Sequence, residues 1–525
     1  MKTLVSAAEA SRLDAEVAAS CRLPPLILME NAAVRLWAAV EHVLPGPAAE
    51  DGAAPGAARS ACLIAALAGP GNNGGDALAV LRQARFAGWS RLAAILLADR
   101  QGELAEIQRA SLEAMGVELV YWRENPGRAK TLLAESSLVV DGVTGTGLKG
   151  VLRGPAAELV QAANDSGRPL FAIDLPSGLG DGYEAGGLVV AARWTASIEP
   201  RKACLYFPAA RRAVGEILAI EGVFPLDALP ASRVLLLEEG DLPALCPRPP
   251  ADAHKGSRGR LAVLAGSPGM MGAAGLAVAA ATAASAGLIT LHADDEVYPA
   301  LAAGKLPETL AAAIIKRLPA GAEDLAELRA DAILVGPGWG RSPVKARLLE
   351  AVLESGVPAV LDADALRLVA PILSSGLRPR ASLVLTPHPG EFEALSGLPA
   401  DAILANPAAQ LSRLAAEWRA VIVLKSHVTW IAAPDGRLAV WDGLEPSLAT
   451  AGSGDVLAGL AAGFLAGLVD SGRAETGQVG TEAAWRAAQA AVIAHGMAGR
   501  RARASRGWYA AGALVEEAAR LILPP

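Results

Sequence analysis

Cysteine is scarce in this chain. Cys21, Cys62, Cys204 and Cys246 are the only four in 525 residues, and no two form a CxxC pair. That spacing argues against a zinc-thiolate cluster and a disulfide framework, and it fits a reducing, cytoplasmic compartment. Aromatic residues make up 4% of the chain against 52% hydrophobic residues overall. The cores are therefore expected to be aliphatic, with much alanine and leucine, both good helix formers. Positive charge is not in excess: 47 Lys and Arg face 54 Asp and Glu, a formal charge of −7. Nothing in that balance calls for a nucleic-acid partner. The arginine-rich spots RRA at 211–213 and GRRARASR at 499–506 are read as solvated or phosphate-contacting faces. No clean apolar run spans a membrane. The nearest, around 272–292, is interrupted by Ser285 and glycines and predicts a buried helix and strand. The opening MKTLVSAAEASRLDAEVA turns acidic before any apolar core forms, so no signal peptide is expected.

What is present is a repeated βα rhythm. A chain of 525 residues exceeds one ordinary core, so two domains are expected. In the first half ARSACLIAALAG, RLAAILLA, VELVYW, SSLVVDGVTGTG and PLFAIDLPSGL are apolar runs with polar or Gly-rich ends, separated by helical patterns. That is the signature of a mostly parallel sheet, whose ligands bind beyond the strand C-termini. The stretch LCPRPPADAHKGSRG, 245–259, reads as a boundary, and a second α/β series follows it, from GRLAVLAGSPG to AVIVLKSHVTWIA. The expected division is 1–225 for a first domain, 226–249 for a linker and 250–525 for a second, without internal duplication.

Three loops in the first domain have a composition suited to convergence. They are GPGNNGGD, holding Asn72, Asn73, Gly74, Gly75 and Asp76; DGVTGTG, starting at Asp141 and holding Gly145, Thr146 and Gly147; and DLPSG, holding Asp174 and Ser177. Glycine-loop amides can cradle phosphate. Amide, carboxylate and hydroxyl oxygens are hard ligands, suited to alkali or alkaline-earth ions and unsuited to zinc. The first loop is read as lacking the third glycine of the common dinucleotide fingerprint GxGxxG at the required offset, and no GK[ST] supplies a Walker loop. A tight turn with Asp76 as a helix cap is the structural alternative.

The second half carries ATAGSGDVLAGL, 449–460, a Gly-Ser-Gly turn opening a helix with Asp455 beside it. Amides at a helix start stabilise an anion, and an aspartate next to them fits a base that activates a hydroxyl toward phosphate. Lys425 in VIVLKSHVT suits nucleotide phosphates, His388 and Glu391 share the turn TPHPGEFEAL, and Asp362 and Asp364 add carboxylates. His292 and His495 are read as satisfied structural histidines.

The order MENA, GPGNNGGD, DGVTGTG, DLPSG resembles the N-terminal domain of the bifunctional NAD(P)H-hydrate repair enzymes, the YjeF-like epimerase family. HKG, GSPGMMGA, GPGWG, LDADAL, TPHPGEFEAL, LKSHVT and TAGSGDVLAG resemble their C-terminal, ribokinase-like dehydratase domain. The resemblance implies a Rossmann-like three-layer α/β/α sandwich followed by a ribokinase-like α/β domain. It implies epimerisation of R and S hydrates of NADH and NADPH, and dehydration of the S form with ADP as co-substrate, releasing AMP and phosphate. Asn73, Asp141 and Ser177 would hold potassium. Asn72 to Asp76, with Gly145, Thr146, Gly147, Leu148, Lys149, Gly150 and Val151, would line the epimerase substrate site, with Asp174 as acid/base. Ala273, Gly338 and His388 would contact the dehydratase substrate. Lys425, Ser426, His427, Val428, Thr429, Ala451, Gly452, Ser453 and Gly454 would bind ADP, with Asp455 catalytic and magnesium bridging phosphates. A homo-oligomer without membrane or nucleic-acid partners is expected.

The chain departs from the family pattern at Ala77, Thr144, Ser426 and around Glu445 and Pro446, and Lys202 is the nearest lysine to the family's usual Lys-Pro-Gly ending. A small-molecule kinase of ribokinase type fused to a non-catalytic nucleotide-binding domain is the competing reading, because acid and phosphate loop alone do not separate the two.

Overall fold

The computed structural model describes residues 1–44, 57–303, 310–311, 313–319, 321, 325, 328–469 and 477–522. Two compact units emerge: Thr3–Ser232 with Leu404–Asn406, and Met1–Lys2 with Arg233–Ile403 and Pro407–Pro525.

In the first unit, seven parallel strands lie side by side in the order Glu118–Tyr121, Leu92–Leu96, Ile64–Ala68, Leu138–Gly142, Leu170–Ile173, Trp194–Ile198, Glu216–Ile220. Strands Ile64–Ala68, Leu92–Leu96 and Leu138–Gly142 are buried along their whole length, which explains their unbroken apolar runs. Alternate residues feed separate cores on the two faces. Ile64, Ala66 and Ala68 join one with Leu36 and Leu78, while Leu67 joins another with Leu133 and Leu159. Helices therefore cover both faces, giving the expected three-layer Rossmann-like sandwich. The strand order reverses between Ile64–Ala68 and Leu138–Gly142, so the loops leaving these two strands open a crevice at their C-terminal ends.

The second unit carries strands in the order Val234–Leu236, Leu438–Asp442, Val428–Ala432, Ala420–Leu424, Leu383–Leu385, Ala359–Leu361, Ala332–Val335, Arg260–Leu264, Leu288–Ala293, Ala313–Arg317. From Ala420–Leu424 through Ala313–Arg317 all pairings are parallel, and Val428–Ala432 pairs antiparallel with both of its neighbours. The run around 272–292 forms helix Met271–Ala283 and strand Leu288–Ala293, and no described helix is long and apolar enough to cross a membrane. That helix lies directly on helix Ser453–Leu468. A Cβ on Gly459 would stand 2.3 Å from the Ala277 carbonyl oxygen, and one on Gly463 would stand 2.6 Å from that of Ala281. The two backbones touch, which only glycine permits.

One expectation is corrected. Residues 226–249 are not a plain linker: Val234–Leu236 pairs parallel with Leu438–Val440 and Leu242–Leu245 is a short helix in the second core. The apolar VLLL run packs beside strand Leu438–Asp442 of the second sheet, with Leu236 and Leu237 buried, so the units divide at Ser232 and Arg233.

Candidate active sites

The first unit encloses a cavity of about 760 Å³ at the strand-order reversal. Its wall includes Asn72, Asn73, Gly74, Asp76, Gly145, Thr146, Gly147, Leu148, Lys149 and Asp174, so the expected loops do converge. Gly75, Gly150 and Val151 are not part of that wall. Gly75 is buried instead, and a Cβ there would reach 2.7 Å from Met29 Cε.

The glycines are demanded by backbone contact. A Cβ on Gly69 would stand 1.9 Å from the Val143 carbonyl oxygen, and one on Gly74 would stand 1.9 Å from that of Gly69. Gly69, Gly71 and Gly74 also have the GxGxxG spacing between strand Ile64–Ala68 and helix Asn72–Phe86. The expectation that the third glycine is missing is thus corrected: Gly74 supplies it, and the loop carries the dinucleotide fingerprint.

Asp174 ends strand Leu170–Ile173 with φ of +63°, a strained conformation for a non-glycine residue that is characteristic of functional sites. Lys202 Nζ donates to its Oδ1 at 2.5 Å and to the Ile198 carbonyl at 2.8 Å, and the Ile198 amide donates to the same Oδ1 at 3.1 Å. Both bonds to the carboxylate fall on Oδ1, leaving Oδ2 for the cavity. Lys202 and Asp14, neither given a role by the sequence reading, line the same wall. Asp14 comes from helix Ala7–Ser20, whose first amides, of Ala7 and Ala8, donate to Asp181 at 2.8 and 3.0 Å. Val5 bridges Lys202 in parallel pairing, which fixes the approach of that helix. Burial, then the Asp174 charge, raises the Asp14 carboxyl to about 6. Burial and the charges of Asp14 and Asp174 push Asp76 well above the usual carboxylate range.

Beside the cavity lies an oxygen-rich network. Asp141 Oδ1 accepts from Ser177 Oγ at 2.6 Å and from the Val143 amide at 3.2 Å, and its Oδ2 accepts from the Ser177 amide at 2.8 Å. Asn73 Nδ2 donates to the Thr144 carbonyl at 2.8 Å, and that carbonyl also accepts from Ser177 Oγ at 3.2 Å. Asn73 is therefore linked to Ser177 through the Thr144 carbonyl, and Ser177 directly to Asp141. Burial lifts Asp141 to about 6 against the lowering effect of these hydrogen bonds. Carboxylate, hydroxyl and carbonyl oxygens around one buried negative charge fit a hard cation. The departures are accommodated: Thr144 Oγ1 accepts from the Gly178 amide at 3.1 Å, and Ala77 Cβ fits against Gly142, which has no side chain.

In the second unit Lys425 Nζ pairs with buried Asp362 at 2.7 Å and approaches Glu391 Oε2 at 3.8 Å. Thr386 Oγ1 donates to the same Asp362 oxygen at 2.8 Å. A Cβ on Gly454 would lie 3.5 Å from Lys425 Nζ, so the lysine stands at the start of helix Ser453–Leu468. Asp455 in that first turn is raised to about 6 by burial and by Asp362, against the lowering effect of Lys425. His388 caps helix Pro389–Ser396: its Nδ1 accepts from the Gly390 and Glu391 amides, and its Nε2 stands 3.5 Å from Glu391 Oε1. Its ring is 53% exposed. Gly338 meets Ala273, whose Cβ would be 3.1 Å from a Cβ on the glycine.

Ser426, in place of the family's glycine, closes its turn by donating from Oγ to the Val428 carbonyl at 2.7 Å, and Thr429 Oγ1 donates to the Ser426 carbonyl at 3.1 Å. His427 is exposed, while Val428 and Thr429 are buried in strand Val428–Ala432. Ala451 and Gly452 precede the helix, with Gly452 at φ of +88° as its N-cap. The Ser453 amide is spent on the Thr450 carbonyl at 3.1 Å, which leaves Gly454 and Asp455 as the first-turn amides free for an anion. His495 Nε2 lies 2.9 Å from Ser453 Oγ and 3.0 Å from the Ser453 carbonyl oxygen, a contact the sequence did not reveal.

The family model described as YjeF-related protein N-terminus matches residues 25–204, and that described as NAD(P)H-hydrate dehydratase matches 261–520. A bifunctional NAD(P)H-hydrate repair enzyme of Moorella thermoacetica is 35% identical over 94% of this chain and 94% of its own length. One of Gloeobacter violaceus is 35% identical over 94% and 95%. A solved ADP/ATP-dependent NAD(P)H-hydrate dehydratase of Bacillus subtilis, co-crystallised with ATP and Mg2+, is 28% identical and covers 55% of this chain and 98% of that one, with a TM-score of 0.46. By identity and by coverage of both halves, the chain belongs to the family of bifunctional NAD(P)H-hydrate repair enzymes.

Proposed function

We propose that the first unit interconverts the R and S hydrates of NADH and NADPH, and that the second dehydrates the S form with ADP, giving NAD(P)H, AMP and phosphate. Family membership names the substrate, and the observation that carries the chemistry is the Asp455 carboxyl held near 6 beside Lys425 at a helix start. In the second unit Asp455 takes the proton of the hydrate's C6 hydroxyl while that oxygen bonds to the terminal phosphorus and the bond to AMP breaks. Phosphate is a better leaving group than hydroxide: the C6–O bond breaks, phosphate departs, and a proton leaves C5 to solvent or to the departing phosphate, which restores the C5–C6 double bond of the dihydronicotinamide. Lys425 and the Gly454 and Asp455 amides face the charge that develops. Magnesium would be bound chiefly through the nucleotide phosphates, as is usual for this ion, and would offset their charge.

In the first unit Asp174, oriented by Lys202 and the Ile198 amide, passes a proton to the departing hydroxyl or takes one from the incoming water at C6. Potassium, held by Asn73, Asp141 and Ser177 with the Thr144 carbonyl, would offset the Asp141 charge and tie the three loops together.

The test is incubation of the purified chain with mixed R and S hydrates, ADP and magnesium, following the dihydronicotinamide absorbance. Recovery of both epimers is expected. Recovery that stops at one epimer sinks the first assignment, and none at all sinks the second.

A further inference from the structure

We propose that His495 is a positioning residue for nucleotide binding, holding the Gly-Ser-Gly loop so that the Gly454 and Asp455 amides point at the terminal phosphates. The inference rests on the dehydratase reading of this site and adds a residue to it.

One imidazole nitrogen, Nε2, faces two oxygens of the same residue, Ser453 Oγ at 2.9 Å and the Ser453 carbonyl oxygen at 3.0 Å. A carbonyl oxygen only accepts, so Nε2 carries the proton and donates between the two. The Ser453 hydroxyl then keeps its own hydrogen for another acceptor. The same residue spends its amide on the Thr450 carbonyl. Ser453 is thus held at its amide, its carbonyl and its side chain, while the next two amides stay open. The His495 ring comes from helix Gly477–Arg506, an element separate from the loop it holds. Lys425, already beside Gly454, is close enough for its charge to act on the ring, which places His495 behind the phosphate site and not at a distant surface. Burial lowers the ring to about 4, so it stays neutral through the physiological range and adds no charge of its own to the loop.

The test compares the full chain with His495→Ala and His495→Gln by equilibrium calorimetry with ADP and magnesium and by dehydration kinetics. For His495→Ala, ADP affinity is expected to fall about tenfold, the worth of a lost buried hydrogen bond, with the KM for the hydrate within about twofold of wild type. His495→Gln, whose amide can donate to the same oxygens, should recover most of the loss. Epimerase activity, housed in the other unit, should be unchanged in both. Unaltered ADP affinity in His495→Ala overturns the proposal, as does an equal loss in the glutamine variant with an unchanged melting midpoint. If His495→Ala fails to fold, the glutamine variant decides: near-wild-type ADP affinity upholds the proposal, and a tenfold loss overturns it. Wild-type protein that binds ADP without dehydrating the hydrate would defeat the proposed function and leave the calorimetric test of His495 intact.

Discussion

Lys202 Nζ stands 2.5 Å from Asp174 Oδ1, the lysine side chain 3% exposed and the aspartate side chain 11%. A nearly dry ion pair of this kind is costly to break from one side, because the remaining charge stays buried. Lys202→Met is expected to lower stability by about 3–5 kcal/mol and to cut epimerisation by at least about a hundredfold. Denaturant unfolding and epimer interconversion measured on the same sample check both, with dehydration of pure S hydrate as the control.

Asp455 ionises near 6, because burial and Asp362 oppose its charge more than Lys425 favours it. A base must be ionised to accept a proton, so dehydration should fall about tenfold for each pH unit below that value. Asp455→Asn should abolish the reaction and leave ADP binding. A dehydration rate flat from pH 7 to pH 5 would remove Asp455 from the role of base.

Asp14 faces Asp76, Asp174 and Lys202 across the first cavity, with Lys149 and Glu199 also in its wall and Arg12 and Glu16 on its own helix. Asp14→Asn withdraws a negative neighbour, so Asp76 should ionise at lower pH than in wild type. Epimerase kcat is expected to fall about tenfold with the KM nearly unchanged, and the acid limb of the rate profile should move down. A profile superimposable on wild type would leave Asp14 as part of a solvated helix face.

Exchanging potassium for tetramethylammonium should lower the melting midpoint of the first unit by about 2–4 °C for each kcal/mol of binding lost. Asp141→Asn should make that midpoint insensitive to the exchange. Equal midpoints for the wild type in both salts would argue against a cation at the Asn73–Asp141–Ser177 network.

The βα plan was legible because buried parallel strands are written as unbroken apolar runs, such as IAALA at 64–68. The cavity loops were legible because small residues cluster where backbones approach each other and the ligand. Their exact extent was not: Gly75 serves helix packing, and Gly150 and Val151 stand outside the cavity wall. Asp14 was hidden because an acidic residue among Glu9, Arg12 and Glu16 reads as an ordinary wet helix face. Its position depends on contacts from Asp181 and Lys202, far along the chain. His495 was hidden for a similar reason, since its partner Ser453 is 42 residues away. The strand Val234–Leu236 went unread because three residues carry too little periodicity.

Where helices Met271–Ala283 and Ser453–Leu468 meet, carbonyl oxygens stand where any side chain on Gly459 or Gly463 would have to go. The second helix begins two residues before Asp455, so the height of the Asp455 backbone above the sheet is fixed by main-chain contact, independent of rotamer choice. Gly459→Ala should therefore displace the base as well as destabilise the unit by about 1–3 kcal/mol. Turnover would then fall further than the fraction of unfolded protein accounts for. The alignment of Asp455 is inherited from two glycines one and two turns further down its own helix, where one backbone rests directly on another.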